Sequence, residues 1–281
     1  MSELRPVVNP TPERWRAYFE TVARYRDDDD PAFWPEERLA NRRNELLARQ
    51  MSWLAAGSAH YKAKLAAAKI DAAAIRTTDD LEKLPVTTKQ ELMSDPSAFR
   101  LRLPDAGLYD LTYATVYTTG TTTGRPTPYE YTTHDFFGVL QSGIRNYKHT
   151  GLRPGDRFLT MFPLSPLPHV AGFAGPMANA AGLSFAHGCT GMPYPEFPIH
   201  RPTAELRARV VAERPDGVAG IGSFLRYLFV EAAAAGDDLS SIKVVMASGE
   251  VMTAGMRAHM HEHLARCGAR DVFIASAYGF T

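Results

Sequence analysis

Residues 117–129 read YTTGTTTGRPTPY. Five of the first seven are threonine, and Gly120 and Gly124 frame a Thr-Thr-Thr core. Glycine lets backbone N–H groups approach an anion closely, and threonine hydroxyls add donors. Arg125 could add positive charge, although Arg125-Pro126 could equally carry the chain out of a turn. Read alone, the stretch is either a phosphate cradle or a polar turn.

Its surroundings suggest which. The run YATVY (113–117) precedes it, and β-branched runs then alternate with amphipathic stretches. Strands are predicted at 113–117, 157–162, 183–187, 217–221, 242–247 and 271–276. Helices are predicted near 133–148, 170–181, 203–213, 223–235 and 253–267. Such alternation implies βαβ units and a mostly parallel sheet. In open sheets of this kind ligands bind beyond the carboxyl ends of the strands. Three marked turns fall there: the threonine loop, Ser248-Gly249-Glu250 after IKVVMA, and Tyr278-Gly279-Phe280-Thr281 after DVFIAS.

Residues 11–70 have a different texture, rich in Ala, Arg, Glu and Leu. Trp15, Tyr18, Phe19, Val22 and Tyr25 recur at helical spacing, as do Leu39, Leu46, Leu47, Trp53 and Leu54. Asp27-Asp28-Asp29-Asp30-Pro31 interrupts the two stretches and reads as a solvated loop. Residues 1–109 are therefore expected to form a helical segment, and 110–281 an α/β nucleotide- and acyl-binding part.

With 281 residues, 45% of them hydrophobic, the chain can bury a substantial core. Thirty-one basic residues balance 31 acidic ones, which gives no reason to expect nucleic acid or an anionic membrane as partner. Two cysteines, Cys189 and Cys267, make neither a disulfide framework nor a complete zinc site. With no signal-peptide pattern at the N-terminus, the expected location is cytoplasmic.

Known glycine motifs fail on spacing. A Walker loop needs four residues between its glycines and a following Lys; here there are three, then Arg125-Pro126. The nearest dinucleotide fingerprint, Gly220-Ile221-Gly222-Ser223-Phe224-Leu225, lacks its last glycine, which counts against a Rossmann-like oxidoreductase. His259, His263 and Cys267 stand at i, i+4 and i+8 of a predicted helix. They do not make H-E-x-x-H, and the face is expected to be solvated, with no metal site.

YTTGTTTGRPTP resembles the phosphate-binding loop of the adenylate-forming enzymes, the superfamily of acyl- and aryl-CoA ligases and peptide-synthetase adenylation domains. Other stretches resemble family segments in the same order, from about residue 35 to the end. Leu84-Pro85-Val86-Thr87-Thr88-Lys89 is similar to an entry segment of the phenylacetate–CoA ligase branch. FPLSPLPHVAG (162–172) resembles the motif bordering the acyl pocket, DDLSSIKVVMASGEVMT the stretch ending in the adenine-side Gly-Glu, and YGFT the start of Tyr-Gly-x-Thr-Glu.

The resemblance implies a large N-terminal domain with mixed, mostly parallel sheets flanked by helices. It implies AMP-forming activation of a carboxylic acid by ATP with Mg2+, then thioester formation with CoA or a carrier-protein phosphopantetheine. Thr118, Thr119, Gly120, Thr121, Thr122, Thr123 and Gly124 would cradle the leaving phosphates, and Thr281 would contact the α-phosphate. Tyr278 with Gly279 would stack on adenine, Gly249 and Glu250 would line the adenine and acyl side, and His169 would border the acyl pocket. The Pro-, Phe- and Met-rich 160–200 region suits an aromatic or apolar acid. A homodimer is what the branch suggests.

Two departures stand out. The family loop has two residues between its glycines, so one threonine here is extra. The family's magnesium-holding Glu, its hinge and the mobile C-terminal domain with the catalytic Lys would lie beyond residue 281. The chain is therefore expected to be the N-terminal portion of a ligase, inactive alone. The alternative is a non-catalytic nucleotide-binding or interaction fragment.

Overall fold

The computed structural model describes residues 30–102, 112–117, 127–163, 169–190 and 201–277. The chain divides into two compact units: Met1–Thr115 with Thr127–Gly138, and Val116–Pro126 with Val139–Thr281.

The first unit is mainly helical. Helix α1 (Glu36–Gly57) starts behind Pro35, with Glu36 and Glu37 in its first turn, where acidic groups meet the positive end of the helix dipole. It is followed by α2 (Ala59–Ala68) and the short α3 (Lys89–Ser94). Met51, Leu65 and Ile75 form a small core, with Leu47, Leu54, Ile70 and Leu84 packed against it. Buried Ser58 ties this layer together: its Oγ caps α2 at Tyr61 N and donates to the Ala98 carbonyl 40 residues on.

The stretch Leu84–Lys89 leads into α3 through a capping box. Thr88 Oγ1 accepts from Glu91 N at 3.2 Å, and Glu91 Oε2 accepts from Thr88 N at 2.6 Å. Lys64 Nζ bridges Glu91 Oε1 and the Val86 carbonyl, both at 2.7 Å. The Lys64 ammonium and the Thr88 donors hold the Glu91 carboxyl down at about 2.

Strand β1 (Thr112–Tyr117) pairs with β2 (Pro128–Thr132) in a two-stranded sheet. The β2 strand was not expected, because its Pro128 and Glu130 argue against one; its residues are only half buried. Asp30 is nearly fully buried rather than solvated, and its Oδ1 accepts from Ala32 N at 2.9 Å to start a turn of 3-10 helix at Pro31–Phe33. The preceding aspartates and the aromatic helical run 15–25 lie outside the described residues.

The second unit carries the sheet. It is built from α4 (Thr133–Thr150, entering the unit at Val139), β3 (Arg157–Thr160), α5 (His169–Ala180), β4 (Ser184–His187), α6 (Thr203–Glu213), β5 (Gly217–Ile221), α7 (Gly222–Ala235), β6 (Val244–Ser248), α8 (Ala254–Arg266) and β7 (Phe273–Ser276). The strands lie in the order β4-β3-β5-β6-β7, and every pairing is parallel.

Pleating divides the strands between two cores. Leu159, Val218, Val245 and Ile274 share one register line and face Leu206, Val210, Leu225, Leu228, Phe229, Met260 and Leu264 from α6, α7 and α8. Phe158, Ala219, Val244 and Met246 face the opposite layer, with Tyr147 and Ala178 from α4 and α5. With both faces covered, the strands read as continuous apolar runs.

Close approach of α4 and α5 depends on Gly143. A Cβ there would overlap Cβ and Cγ of Met177 and lie 2.8 Å from its Sδ. These atoms are too near the α5 backbone to swing aside. Gly143→Ala should therefore lower stability by about 1–3 kcal/mol in urea denaturation, although alanine is the better helix former by about 1 kcal/mol. A variant as stable as the parent would show that the helices can part freely.

Among the described residues, no helix is long and apolar enough to cross a membrane.

Candidate functional site

Of the expected turns, the one after β6 lies within the described residues, at the carboxyl end of a central parallel strand. Strand β5 runs from Ile221 straight into α7 at Gly222, and Ile221 is in register with Ser248, the last residue of β6. Beyond Ser248, Gly249 takes φ +86°, a left-handed conformation that turns the chain out of the sheet. Ala277 N then donates to Ala247 O at 2.8 Å, holding the end of β7 beside β6.

Glu250 reaches across this turn, and its Oε1 accepts from the Ser223 N–H. Helix α7 has no side-chain cap of its own at Ile221. The carboxylate therefore fills an acceptor role at a helix start whose N–H groups would otherwise be orphaned, and meets the positive end of the dipole. Acceptor and donor stand 27 residues apart in the sequence, while the following helix, α8, has its own cap in Thr253, which accepts from Met256 N at 3.1 Å. A Cβ on Gly222 would lie 3.0 Å from Glu250 Oε1, so glycine here keeps room for that contact.

His169 is the first residue of α5. Thr118, Thr119, Gly120, Thr121, Thr122, Thr123, Gly124, Tyr278, Gly279 and Thr281 lie outside the described residues. Of the expected site residues, the structure thus brings out the Gly249-Glu250 turn and its link to Ser223.

A polar cluster at the neighbouring strand ends was not foreseen. Thr160, the last residue of β3, is fully buried, and its Oγ1 has no partner among the described residues. Its register partner, His187, ends β4. His187 Nδ1 accepts from Cys189 N at 3.0 Å, which assigns the ring proton of the neutral form to Nε2. That nitrogen is also buried and without a partner among the described residues. Arg209 Nη1 donates to the His187 carbonyl at 2.6 Å, and Thr190 Oγ1 donates to Met161 O at the same distance. Cys189 takes φ +56°, the bend that returns its N–H to the imidazole. The sequence signal was slight: a histidine ending a predicted strand.

Burial first, and the Arg209 charge second, push the His187 pKa down to about 4 from an ordinary 6.5. The native ring therefore resists protonation, whereas the unfolded chain takes up a proton near 6.5. Between these values the unfolded state binds more protons, so stability is full above pH 6.5 and falls as pH drops toward 4. The gap sets a ceiling of about 3 kcal/mol, and partial solvent access reduces the expected loss to about 1–2 kcal/mol. Urea melts at pH 7 and pH 4.5 should show that loss in the parent and not in His187→Gln; equal losses in both would exclude His187 as its source.

His259 and His263 meet on α8, their Nε2 atoms 3.1 Å apart. The expected solvated face is corrected here: His263 is 8% exposed and Cys267 3%. Both lie on the line of Met260 and Leu264, which enters the core against α7. Burial raises the Cys267 thiol pKa. Among the described residues no group of three or more His, Cys, Asp or Glu converges as a metal site, and both cysteines are free.

Comparisons with known proteins bear on the whole chain. A search of curated proteins returned no match. Among solved structures, 2-hydroxyisobutyryl-CoA ligase in an open conformation, in complex with 2-HIB-AMP and CoA, superposes with TM-score 0.71 at 18% identity, over 88% of this chain and 54% of that one. The same ligase in the postadenylation state with R3-HIB-AMP gives 0.72 at 17% identity, over 88% and 49%. In the thioesterification state it gives 0.64 at 20%, over 95% and 49%. The chain thus spans about half the length of these structures, and at such identities the likeness is one of fold. A family model described as AMP-binding enzyme matches residues 38–281. That match takes in most of the helical unit and the whole parallel sheet with its Gly249-Glu250 turn, and the chain belongs to the AMP-binding enzyme family.

Proposed function

We propose that this protein activates a carboxylic acid with ATP, forming an acyl-adenylate and releasing pyrophosphate, and then passes the acyl group to the thiol of CoA. The observation that best supports this reading is the Gly249-Glu250 turn. It stands at the carboxyl end of a central parallel strand, anchored to the next helix start, within a chain of the AMP-binding family.

The first step asks for charge neutralisation and alignment more than for covalent chemistry by the protein. In this reading Thr118, Thr119, Gly120, Thr121, Thr122, Thr123 and Gly124 hold the departing phosphates through backbone N–H groups and hydroxyls. Thr281 contacts the α-phosphate, Tyr278 and Gly279 cover adenine, and Gly249 with Glu250 separates the adenine and acyl sides. His169 borders the acyl pocket. Magnesium supplies counter-charge to the phosphates. The Pro-, Phe- and Met-rich 160–200 region favours an aromatic or apolar acid, as in the phenylacetate–CoA ligase branch.

The test is ATP–pyrophosphate exchange by the protein produced from its own gene, over a panel of aromatic, medium-chain and short hydroxy acids. Exchange that depends on an added apolar acid is the expected result. Folded protein that supports no acid-dependent exchange would overturn the reading. Product analysis with free CoA and with a phosphopantetheinylated carrier protein then identifies the acceptor.

A further inference from the structure

Helix α8 presents a pair of imidazoles that the adenylation chemistry does not use. His259 and His263 are one turn apart on the same face, their ring centroids 4.4 Å apart and their Nε2 atoms at 3.1 Å. Two neutral imidazoles can make that contact only if one Nε2 carries a proton and the other offers its lone pair. Neither Nδ1 has a partner among the described residues, so no protein group selects which ring does which.

From the nitrogen spacing and the chemistry of imidazole, we propose that His259 and His263 form a chelating site for a borderline divalent cation of the Zn2+, Ni2+ or Cu2+ class. Imidazole–zinc bonds run about 2.0–2.1 Å. An ion bridging nitrogens 3.1 Å apart would then subtend roughly 95–100°, between square-planar and tetrahedral angles. Nitrogen ligands select these ions over magnesium and calcium, which prefer oxygen. Water completes the coordination, because no further His, Cys, Asp or Glu converges among the described residues.

The surroundings set the strength. His263 is 8% exposed and packed in the α7–α8 layer, so its ring is held in place before an ion arrives. His259 is more open and gives access. On ligation both rings carry their proton on Nδ1, where the described residues supply no acceptor. Arg226 and Arg266 oppose a cation near His263, and Glu262 favours it. Affinity therefore comes from the two Nε2 bonds, not from the local field, and is moderate for a site without outer-shell support. The pair begins five residues into α8, about 8 Å along its axis, and is separate from the Gly249-Glu250 turn.

The probes are Zn2+ and Cu2+, titrated calorimetrically into the untagged protein produced from its own gene, in a non-coordinating buffer. The chain should take up one ion at this site, and Cu2+ should show paramagnetic coupling to two nitrogens. His259→Asn should weaken that uptake about tenfold or more, while His261→Asn, on the exposed face of the same helix, leaves it unchanged. His263→Asn should match His259→Asn where circular dichroism shows it folded. If burial makes that variant unfold, the partly exposed His259 still decides the matter. No saturable uptake, uptake indifferent to His259→Asn, or equal weakening by His261→Asn would overturn the proposal.

Discussion

Replacing Phe229 by Ala should lower the stability of the sheet-bearing unit by about 3–5 kcal/mol. Among the described residues Phe229 is the bulkiest fully buried side chain, in the middle of α7, with no exposed surface. It belongs to the core of α6, α7 and α8 side chains against β3, β5, β6 and β7. Truncation removes the transfer free energy of a benzyl group and leaves a cavity among rigid neighbours on both sides. Urea denaturation followed by far-UV circular dichroism gives the number. Tyr227, two residues earlier and 48% exposed, provides the control: Tyr227→Ala should move stability by less than about 1 kcal/mol. Equal losses at the two sites would mean that the helix, and not its buried face, sets the stability.

The same core shows what the sequence made legible. Alternation of β-branched runs and amphipathic stretches predicted six strands, and all six form near the expected places: five make the parallel sheet of this core, and 113–117 becomes β1 of the two-stranded sheet. The boundaries shift for local reasons. Ile242 was counted in a strand because it is apolar; it is buried, but its N–H bonds Leu239 O in a turn before β6 begins at Val244. Asp271 was counted in β7, yet its φ of +55° belongs to the turn before Phe273. Burial and ladder pairing are different properties, and hydrophobic patterning reports only the first.

The site was legible to a lesser extent. The strand–turn–helix position of Gly249-Glu250 followed from pattern alone. Its bond to Ser223 did not, because it joins residues 27 apart through the stacking of two βα units. His187 and Thr160 escaped notice because their interest lies in register and burial, which emerge only once β3 and β4 are paired. Burial of His263 has a signal in the sequence. Met260, His263, Leu264 and Cys267 follow i, i+3, i+4, i+7, the stripe of a helix face turned to a core. The surface tendency of histidine yields here to its apolar neighbours on that stripe.

Gly249 carries the second large effect. Its φ of +86° is open to glycine and tolerated by asparagine, and is a genuine outlier for a β-branched residue. Space is not the constraint, because a Cβ there would touch only Ile221 Cγ1, at 3.7 Å. Gly249→Val should therefore act through the backbone, at a local cost of about 1–3 kcal/mol. The turn relieves that strain by rotating, which takes the Glu250 carboxylate away from Ser223 and opens the start of α7. If the turn separates the adenine and acyl sides as proposed, acid-dependent pyrophosphate exchange should fall about 100-fold, or about 2.7 kcal/mol of barrier. Gly249→Asn, bulkier than alanine yet able to hold a left-handed φ, should stay within about tenfold of the parent. Equal losses in the two variants would trace the effect to bulk in the pocket. Full activity in Gly249→Val would remove the turn from the site altogether, since no backbone-held contact to the reacting groups could survive that rotation unharmed.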